Sequence, residues 1–230
     1  LVPIAVLPML LADSDYGGPL AAAAILVSIV WSVGYVNAFN FMDGINGISA
    51  AQAVLAGSTF AILGNTHNLP ILTVSGLAIA GASVGFAPYN IWRTSVFLGD
   101  SGSYFIGSWL ASLVIVAVAR GVHPLVAIGP FLLYIADTGI TIIRRAARRE
   151  NVLSAHREHA YQRLVQRGWT HLRVTSLCAG TIALTSGGLL LADHYQTWVL
   201  LVMFALGMTI VLLYTALPTA LNRLRPIDPT

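Results

Sequence analysis

The chain has 230 residues, of which 57% are hydrophobic and 9% charged, with a formal net charge of +3 and a mean hydropathy of +0.78. A soluble domain carries roughly a quarter charged residues, so this composition excludes a water-soluble globular domain and requires a membrane protein. Cys178 is the single cysteine and lies inside an apolar run, which rules out a disulfide framework or a cysteine-built zinc site within the chain.

The chain opens with LVPIAVLPMLLA, shorter than the roughly 20 residues that cross a hydrocarbon core. It starts at Leu1 with neither Met nor a basic stretch, and is expected to be the tail of a truncated span, not a signal peptide. Apolar runs long enough to cross a bilayer follow near 20–36, 48–64, 70–87, 103–119, 125–143, 174–192 and 198–217. The predicted fold is therefore all-α, a polytopic membrane protein with about seven full transmembrane helices plus a partial N-terminal one. No fixed-period repeat, low-complexity tract or linker divides it, so residues 1–230 are expected to form one transmembrane domain that lacks its N-terminal spans.

All twelve basic residues are Arg, and eleven of them lie in 87–103, 144–173 and 218–230, while the alternate connections hold only Arg120. The positive-inside rule places the first set in the cytoplasm. Parity then puts the polar stretch 37–49, the 88–103 loop and the 144–173 loop on one membrane face, where they can build one site. The positive charge, concentrated in 144–173, suits anionic lipid or an anionic substrate. No soluble module with interleaved aromatics accompanies it, so nucleic acid is not an expected partner. His67, His123 and His194 fall on the opposite connections.

The first polar cluster is NAFNFMDGINGIS, Asn37 to Ser49. If the preceding span continues through it as a helix, Asn37, Asn40 and Asp43 fall within an arc of about 120°. Gly44 and Gly47 would let the backbone turn and approach a ligand closely. An ordinary turn with helix caps is the alternative, but an interfacial carboxylate among amides is costly unless a cation or a donor-rich ligand pairs with it. The second cluster is FLGDSGSYFIG, residues 97–107, where Gly99 and Gly102 flank Asp100 and Ser101. Ser101 or Ser103 would cap the next helix and leave backbone N–H groups that favour a phosphate. Asp100 would suit Mg²⁺, which takes one or two carboxylates and completes its shell with phosphate oxygens and water. The letters GDSGS also occur in serine proteases, but no soluble β-barrel or catalytic His context supports that reading.

The third cluster is RRAARRENVLSAHREHAYQRLVQRGWTH, residues 144–171. On a helix, His156, His159, Arg163 and Arg167 would lie within about 80° of one another, a cationic stripe able to hold a diphosphate. A solvated loop that only fixes topology is the competing reading. Upstream, Asp137 sits in the last two turns of its span with Arg144 and Arg145 on roughly the same face, and is either a structural ion-pair partner or part of the site.

In this order and spacing the three strings resemble the polyprenyl-phosphate N-acetylhexosamine-1-phosphate transferases, the membrane glycosyltransferase group that includes phospho-N-acetylmuramoyl-pentapeptide transferase. The pattern N-x-x-N-x-x-D-G-x-(D/N)-G of that group is met by Asn37, Asn40, Asp43, Gly44, Asn46 and Gly47, and F-(L/M)-G-D-(S/T)-G-S by Phe97 to Ser103. Its D-T…R-R segment is met by Asp137, Thr138, Arg144 and Arg145, with AHREHAYQRL in place of a His-rich loop. Asn46, where the peptidoglycan branch has Asp, and the HREH string are closer to the branch that starts O-antigen, common-antigen or teichoic-type glycans.

The resemblance covers nearly the whole chain and implies transfer of a sugar 1-phosphate from a UDP-sugar to polyprenyl (undecaprenyl) phosphate, with release of UMP. It further implies Mg²⁺, or Mn²⁺ in its place, and a multi-pass location in the bacterial cytoplasmic (inner) membrane with the site facing the cytoplasm; a homodimer is left open. On this reading Asp43 and Asp100 are catalytic and hold the metal. Asn37, Asn40, Asn46, Gly99, Ser101, Asp137, Arg144, Arg145, His156, His159 and Arg163 contact the substrates.

Members also carry further N-terminal spans, a D-D-x-x-D motif and a Lys beyond it. This sequence has no adjacent acid pair, with Asp13 and Asp15 the nearest approach, on the outer side by parity. The expectation is a fragment or an incomplete catalyst, inactive by itself. Two rivals stand beside the transferase. One is a proton-coupled transporter with Asp43, Asp100 and Asp137 as relay sites, although the polar groups cluster on one face and no inverted repeat is found. The other is a non-catalytic relative that scaffolds glycan enzymes.

Overall fold

The computed structural model describes residues 18–92, 96–151, 154 and 156–224. The short apolar piece that opens the chain, with Asp13 and Asp15, lies outside the described residues, which are helical and contain no strand. The helices are α1 (Pro19–Met42), α2 (Ile48–Thr66), α3 (Pro70–Ile91), α4 (Gly99–Ala119), α5 (Pro124–Ile128), α6 (Leu132–Ala147), α7 (Ala160–Gln166), α8 (His171–Ala192) and α9 (Thr197–Leu224). Among the described residues seven segments are long and apolar enough to cross a membrane, α5 and α6 counting as one through the 3₁₀ turn Gly129–Phe131.

Several helices run past the apolar windows that mark them. The first reaches Met42, and the third reaches Ile91. Polar residues such as Asn37 and Asn40 lower local hydropathy, yet the backbone gains nothing by breaking its ladder where water is scarce. The fifth span does break, at Pro130, which lacks an N–H and cannot continue a regular ladder. Buried Gln52 answers there, donating to the Pro130 carbonyl at 3.0 Å and to the Tyr35 hydroxyl at 3.1 Å.

The core is knitted by aromatic rings from α1, α2 and the 3₁₀ turn. Tyr35 meets Phe131 edge-on at 4.6 Å between centroids, Trp31 stacks on Tyr35 at 5.5 Å, and Phe60 tilts against Phe131 at 5.9 Å. The centre of the bundle is α2, with 67% of its apolar stretch buried against 22% to 28% for α1, α3 and α9. Those three present Leu26, Val27, Val74, Leu77 and Leu213 outward, as surfaces in contact with hydrocarbon do.

The α2–α3 hairpin is the closest helix pair. A Cβ on Gly57 would stand 2.7 Å from the Gly76 carbonyl, and one on Gly76 would stand 2.5 Å from the Gly57 carbonyl, so small residues let the two backbones touch. The helix order leaves the loops after α1, α3 and α6 at one end of the bundle and the connections after α2, α4 and α8 at the other. At that other end His67 Nε2 lies 2.6 Å from Asp193 Oδ2, and His194 stacks on His67 at 6.1 Å, joining the ends of α2 and α8.

Gly76→Leu is expected to force α2 and α3 apart and cost about 1–3 kcal/mol, the usual range for overpacking. A thermal unfolding midpoint in detergent measures this against Gly81→Leu, whose site is open to at least 4 Å and whose midpoint is expected to stay put.

Candidate active site

The first wall of the site is the turn between α1 and α2. Asp43 ends α1 and donates its N–H to the Asn40 carbonyl at 3.2 Å, while Gly47, at φ 87°, begins α2. That positive φ suits glycine and few other residues. Side chains from four helices hold the turn. From α2, Ser49 donates to Asp43 Oδ1 at 2.6 Å. From α3, Asn90 Oδ1 accepts the Gly47 N–H at 2.6 Å. From α8, Thr175 donates to the Asn46 carbonyl at 2.9 Å and His171 Nδ1 accepts the Asn46 N–H at 3.4 Å. From α7, the Tyr161 hydroxyl donates to the Phe41 carbonyl at 2.9 Å and covers Gly44, where a Cβ would come within 2.2 Å of it.

The second wall is the segment that leads into α4. Asn90 Nδ2 donates to the Val96 carbonyl at 3.0 Å, so one buried amide ties the two walls together. Asn40 does the same from the other side, donating to Asp100 Oδ1 at 3.2 Å and to Ser103 Oγ at 2.8 Å. Between the walls lies a cavity of about 240 Å³ lined by Asn40, Asp43, Gly44, Ile45, Asn46, Asn90, Phe97, Leu98, Gly99 and Asp100.

Two carboxylates thus face one cavity, and among the described residues neither is ion-paired. Burial raises the Asp43 carboxyl above the ordinary carboxylate range; its bond from Ser49 opposes the rise and the charge of Asp100 adds to it. No group of three or more His, Cys, Asp or Glu side chains converges among the described residues. The donor set at this cavity is oxygen from two carboxylates and several amides, the chemistry of a hard cation or a hydrogen-bonding ligand.

The third cluster differs from the helical stripe expected over 156–167. The helix α7 begins only at Ala160, because the Ala160 N–H is taken by the Asp137 carboxylate at 2.9 and 3.1 Å. His159 is buried beside that carboxylate, with Nδ1 3.4 Å from Asp137 Oδ1. Its ring stacks on Phe41 and Tyr161 and meets His156 at 5.1 Å. Burial, then the neighbouring His159 and Arg145, hold His156 below the usual imidazole range. Arg163 donates to Thr219 at 3.0 Å, and Arg167 binds Asn222 and the Leu221 carbonyl on α9.

The Arg pair splits in role. Arg145 is buried and holds Glu158 at 2.6 Å, Glu150 at 3.0 Å and the Asn151 carbonyl at 2.8 Å. Arg148 joins the same two acids, and its bond holds the Glu158 carboxyl below the usual range. Arg144 is exposed.

Of the residues singled out in the sequence, the cavity gathers Asn40, Asp43, Gly44, Asn46, Phe97, Gly99 and Asp100. Asn37, Ser101, Asp137, Arg144, Arg145, His156, His159 and Arg163 are not on its lining. Asn37 spends its amide on the Val33 carbonyl at 2.7 Å, one turn back on α1. Asn90 and Tyr161 were missed. An amide two residues after Pro88, closing an otherwise apolar span, is the signal that marks Asn90; nothing local marks Tyr161.

The fold and cavity define a polytopic helical membrane protein with a site of acids and amides at one end of its bundle. The sequence model of glycosyl transferase family 4 matches residues 4–118, and the chain belongs to that family. It is 31% identical over 202 residues to a decaprenyl-phosphate N-acetylglucosaminephosphotransferase of Mycolicibacterium smegmatis, covering 76% of this chain and 49% of the relative. A probable undecaprenyl-phosphate N-acetylglucosaminyl 1-phosphate transferase of Bacillus subtilis is 28% identical over 63% of this chain and 41% of its own length. A phospho-N-acetylmuramoyl-pentapeptide-transferase of Latilactobacillus sakei is 34% identical over 53% of this chain and 37% of its own length. The chain spans about half the length, or less, of these curated relatives.

Asn90→Ala is expected to cost about 1–3 kcal/mol, since it strands the Gly47 N–H and the Val96 carbonyl and puts nothing in their place. Thermal unfolding in detergent measures the loss; a midpoint equal to that of the unsubstituted protein would mean that the two walls hold without Asn90.

Proposed function

We propose that this chain transfers an N-acetylhexosamine 1-phosphate from a UDP-sugar to a polyprenyl phosphate and releases UMP, with its site at the cytoplasmic face of a bacterial inner membrane. The observation that carries the reading is the meeting of Asp43 and Asp100, 57 residues apart in sequence, on one cavity at the end of a membrane bundle. The names of the Mycolicibacterium smegmatis and Bacillus subtilis relatives, which refer to a polyprenyl phosphate and to N-acetylglucosamine phosphate transfer, support it. The Arg bias of the loops at that end supports the cytoplasmic orientation.

The residues present fit a divalent cation. Two carboxylates share a cavity without a cationic partner among the described residues, and burial raises the Asp43 carboxyl with the charge of Asp100 adding to the rise. Asp43 and Asp100 would hold Mg²⁺, or Mn²⁺ in its place, and a metal there would neutralise charge on a diphosphate. Ser49 orients the first carboxylate and Asn40 the second. The amides of Asn46 and Asn90 supply donors and acceptors for a nucleotide, and Phe97, 71% exposed on the lining, offers a ring face for a base.

On the loop side Arg144, Arg145, His156, His159 and Arg163 are proposed contacts for phosphate or sugar. Arg144 is the first choice, since Arg145 and Arg163 already hold protein groups. In the reaction, a phosphate oxygen of the lipid attacks the sugar-linked phosphorus of the donor. That new P–O bond forms as the bond from this phosphorus to the bridging oxygen breaks, and UMP carries the bridging oxygen away. Positioning and charge neutralisation supply most of the catalysis in such transfers. The product is proposed to start a cell-envelope glycan of O-antigen, common-antigen or teichoic type, on two supports. One is Asn46 at the branch-marking position; the other is the longer match to the N-acetylglucosamine enzyme, 76% of the chain against 53%.

In the full-length protein, Asp100→Asn is expected to lower UMP release by at least about 100-fold, the scale of losing one preorganised transition-state contact, with an unchanged unfolding midpoint. Activity within about threefold of the unsubstituted protein would remove Asp100 from the reacting centre.

A further inference from the structure

Asp137 lies inside the fifth span, on α6, and is only 2% exposed. A carboxylate at such depth is costly unless its oxygens are occupied. Here they are. The backbone N–H of Ala160, the first residue of α7, donates to Oδ1 at 2.9 Å and to Oδ2 at 3.1 Å. The Tyr214 hydroxyl of α9 donates to Oδ2 at 3.3 Å, and Thr141 donates to Oδ1 at 3.4 Å. Of the two roles the sequence offered for Asp137, ion pairing has buried His159 as its partner, with Nδ1 3.4 Å from Oδ1. Among the described residues no Arg pairs with it, Arg145 being given to Glu158 and Glu150, and it does not line the cavity.

What Asp137 holds does reach the cavity wall. Tyr161 follows Ala160 directly, is fully buried, and places its hydroxyl on the Phe41 carbonyl and over Gly44. Phe41 and Gly44 bracket Asp43. A line of contacts therefore runs from Asp137 through the Ala160 N–H and Tyr161 to the backbone that carries Asp43. A carboxylate is the group this position demands, because three donors converge on it and an amide offers only one oxygen.

We propose that Asp137 is a positioning residue: by holding the first N–H of α7 it seats Tyr161 on the 41–44 turn and so fixes Asp43 in the cavity wall. Its bearing on turnover rests on the reading of that cavity as the transfer site; its bearing on the turn does not.

The test compares the unsubstituted chain with Asp137→Asn, Tyr161→Phe and the double variant, all in detergent or lipid. Amide hydrogen exchange is followed in peptides covering 41–48 and 156–166. Asp137→Asn is expected to speed exchange in both peptides, and Tyr161→Phe, which removes only the hydroxyl on Phe41, in 41–48. Each single variant is expected to lower kcat for UMP release about tenfold with the donor KM within about twofold. The double variant is expected to be no slower than the slower single one, since both act through one route. Faster exchange confined to 156–166 in Asp137→Asn, or losses that multiply in the double variant, would overturn the proposal. If Asp137→Asn does not fold, Tyr161→Phe decides alone, and unchanged exchange over 41–48 overturns it. If this chain by itself releases no UMP, the exchange data alone decide the contact line, whereas a full-length protein that releases none would count against the proposed reaction.

Discussion

Where a chain is packed away from water, a backbone N–H or carbonyl has to be met by the protein, so the chain can leave its helical ladder only where the protein supplies the missing partners. The turn between α1 and α2 is such a place, and the candidate site depends on it. Its open groups are taken by Asn90, Thr175, His171 and Tyr161, and its carboxylate is oriented by Ser49. These partners come from α3, α8, α7 and α2, so the turn is where most of the bundle is tied together. The same bonds that make the turn tolerable aim Asp43 into the cavity.

Electrostatics divides the work between two layers. Next to the cavity, charge is left unbalanced, with Asp43 and Asp100 on one lining and no ion-paired cation among the described residues. Behind it, charge is balanced closely, with Arg145 and Arg148 shared between Glu150 and Glu158. Isolated surface pairs contribute little, but a buried Arg that lost its acids would be expensive. The outer pairs fix the loop between α6 and α7 instead, with Arg145 also bound to the Asn151 carbonyl.

The spans were legible because apolar length is a direct physical signal, and the clustering of Asn40, Asp43, Asn46, Gly99 and Asp100 followed from motif order and helix parity. The helical stripe expected through His156 and Arg167 does not form, because α7 begins at Ala160, whose N–H is held by Asp137 23 residues upstream, and periodicity carries no information about a partner on another helix. Asn90 and Tyr161 escaped for a related reason. Their roles lie in what they touch across the bundle; the chain around Asn90 marks it as an amide closing an apolar span but not what it binds, and the chain around Tyr161 marks nothing.

The most direct measurement follows the phosphorus that the reaction moves. With membranes carrying the protein, polyprenyl phosphate, Mg²⁺ and a UDP-N-acetylhexosamine labelled with ³²P at the sugar-linked phosphate, transfer of the sugar phosphate moves the label into the lipid and leaves unlabelled UMP in solution. Label recovered in soluble UDP, with an unlabelled glycolipid, would mean that the sugar moves without its phosphate and would contradict the chemistry assigned to Asp43 and Asp100.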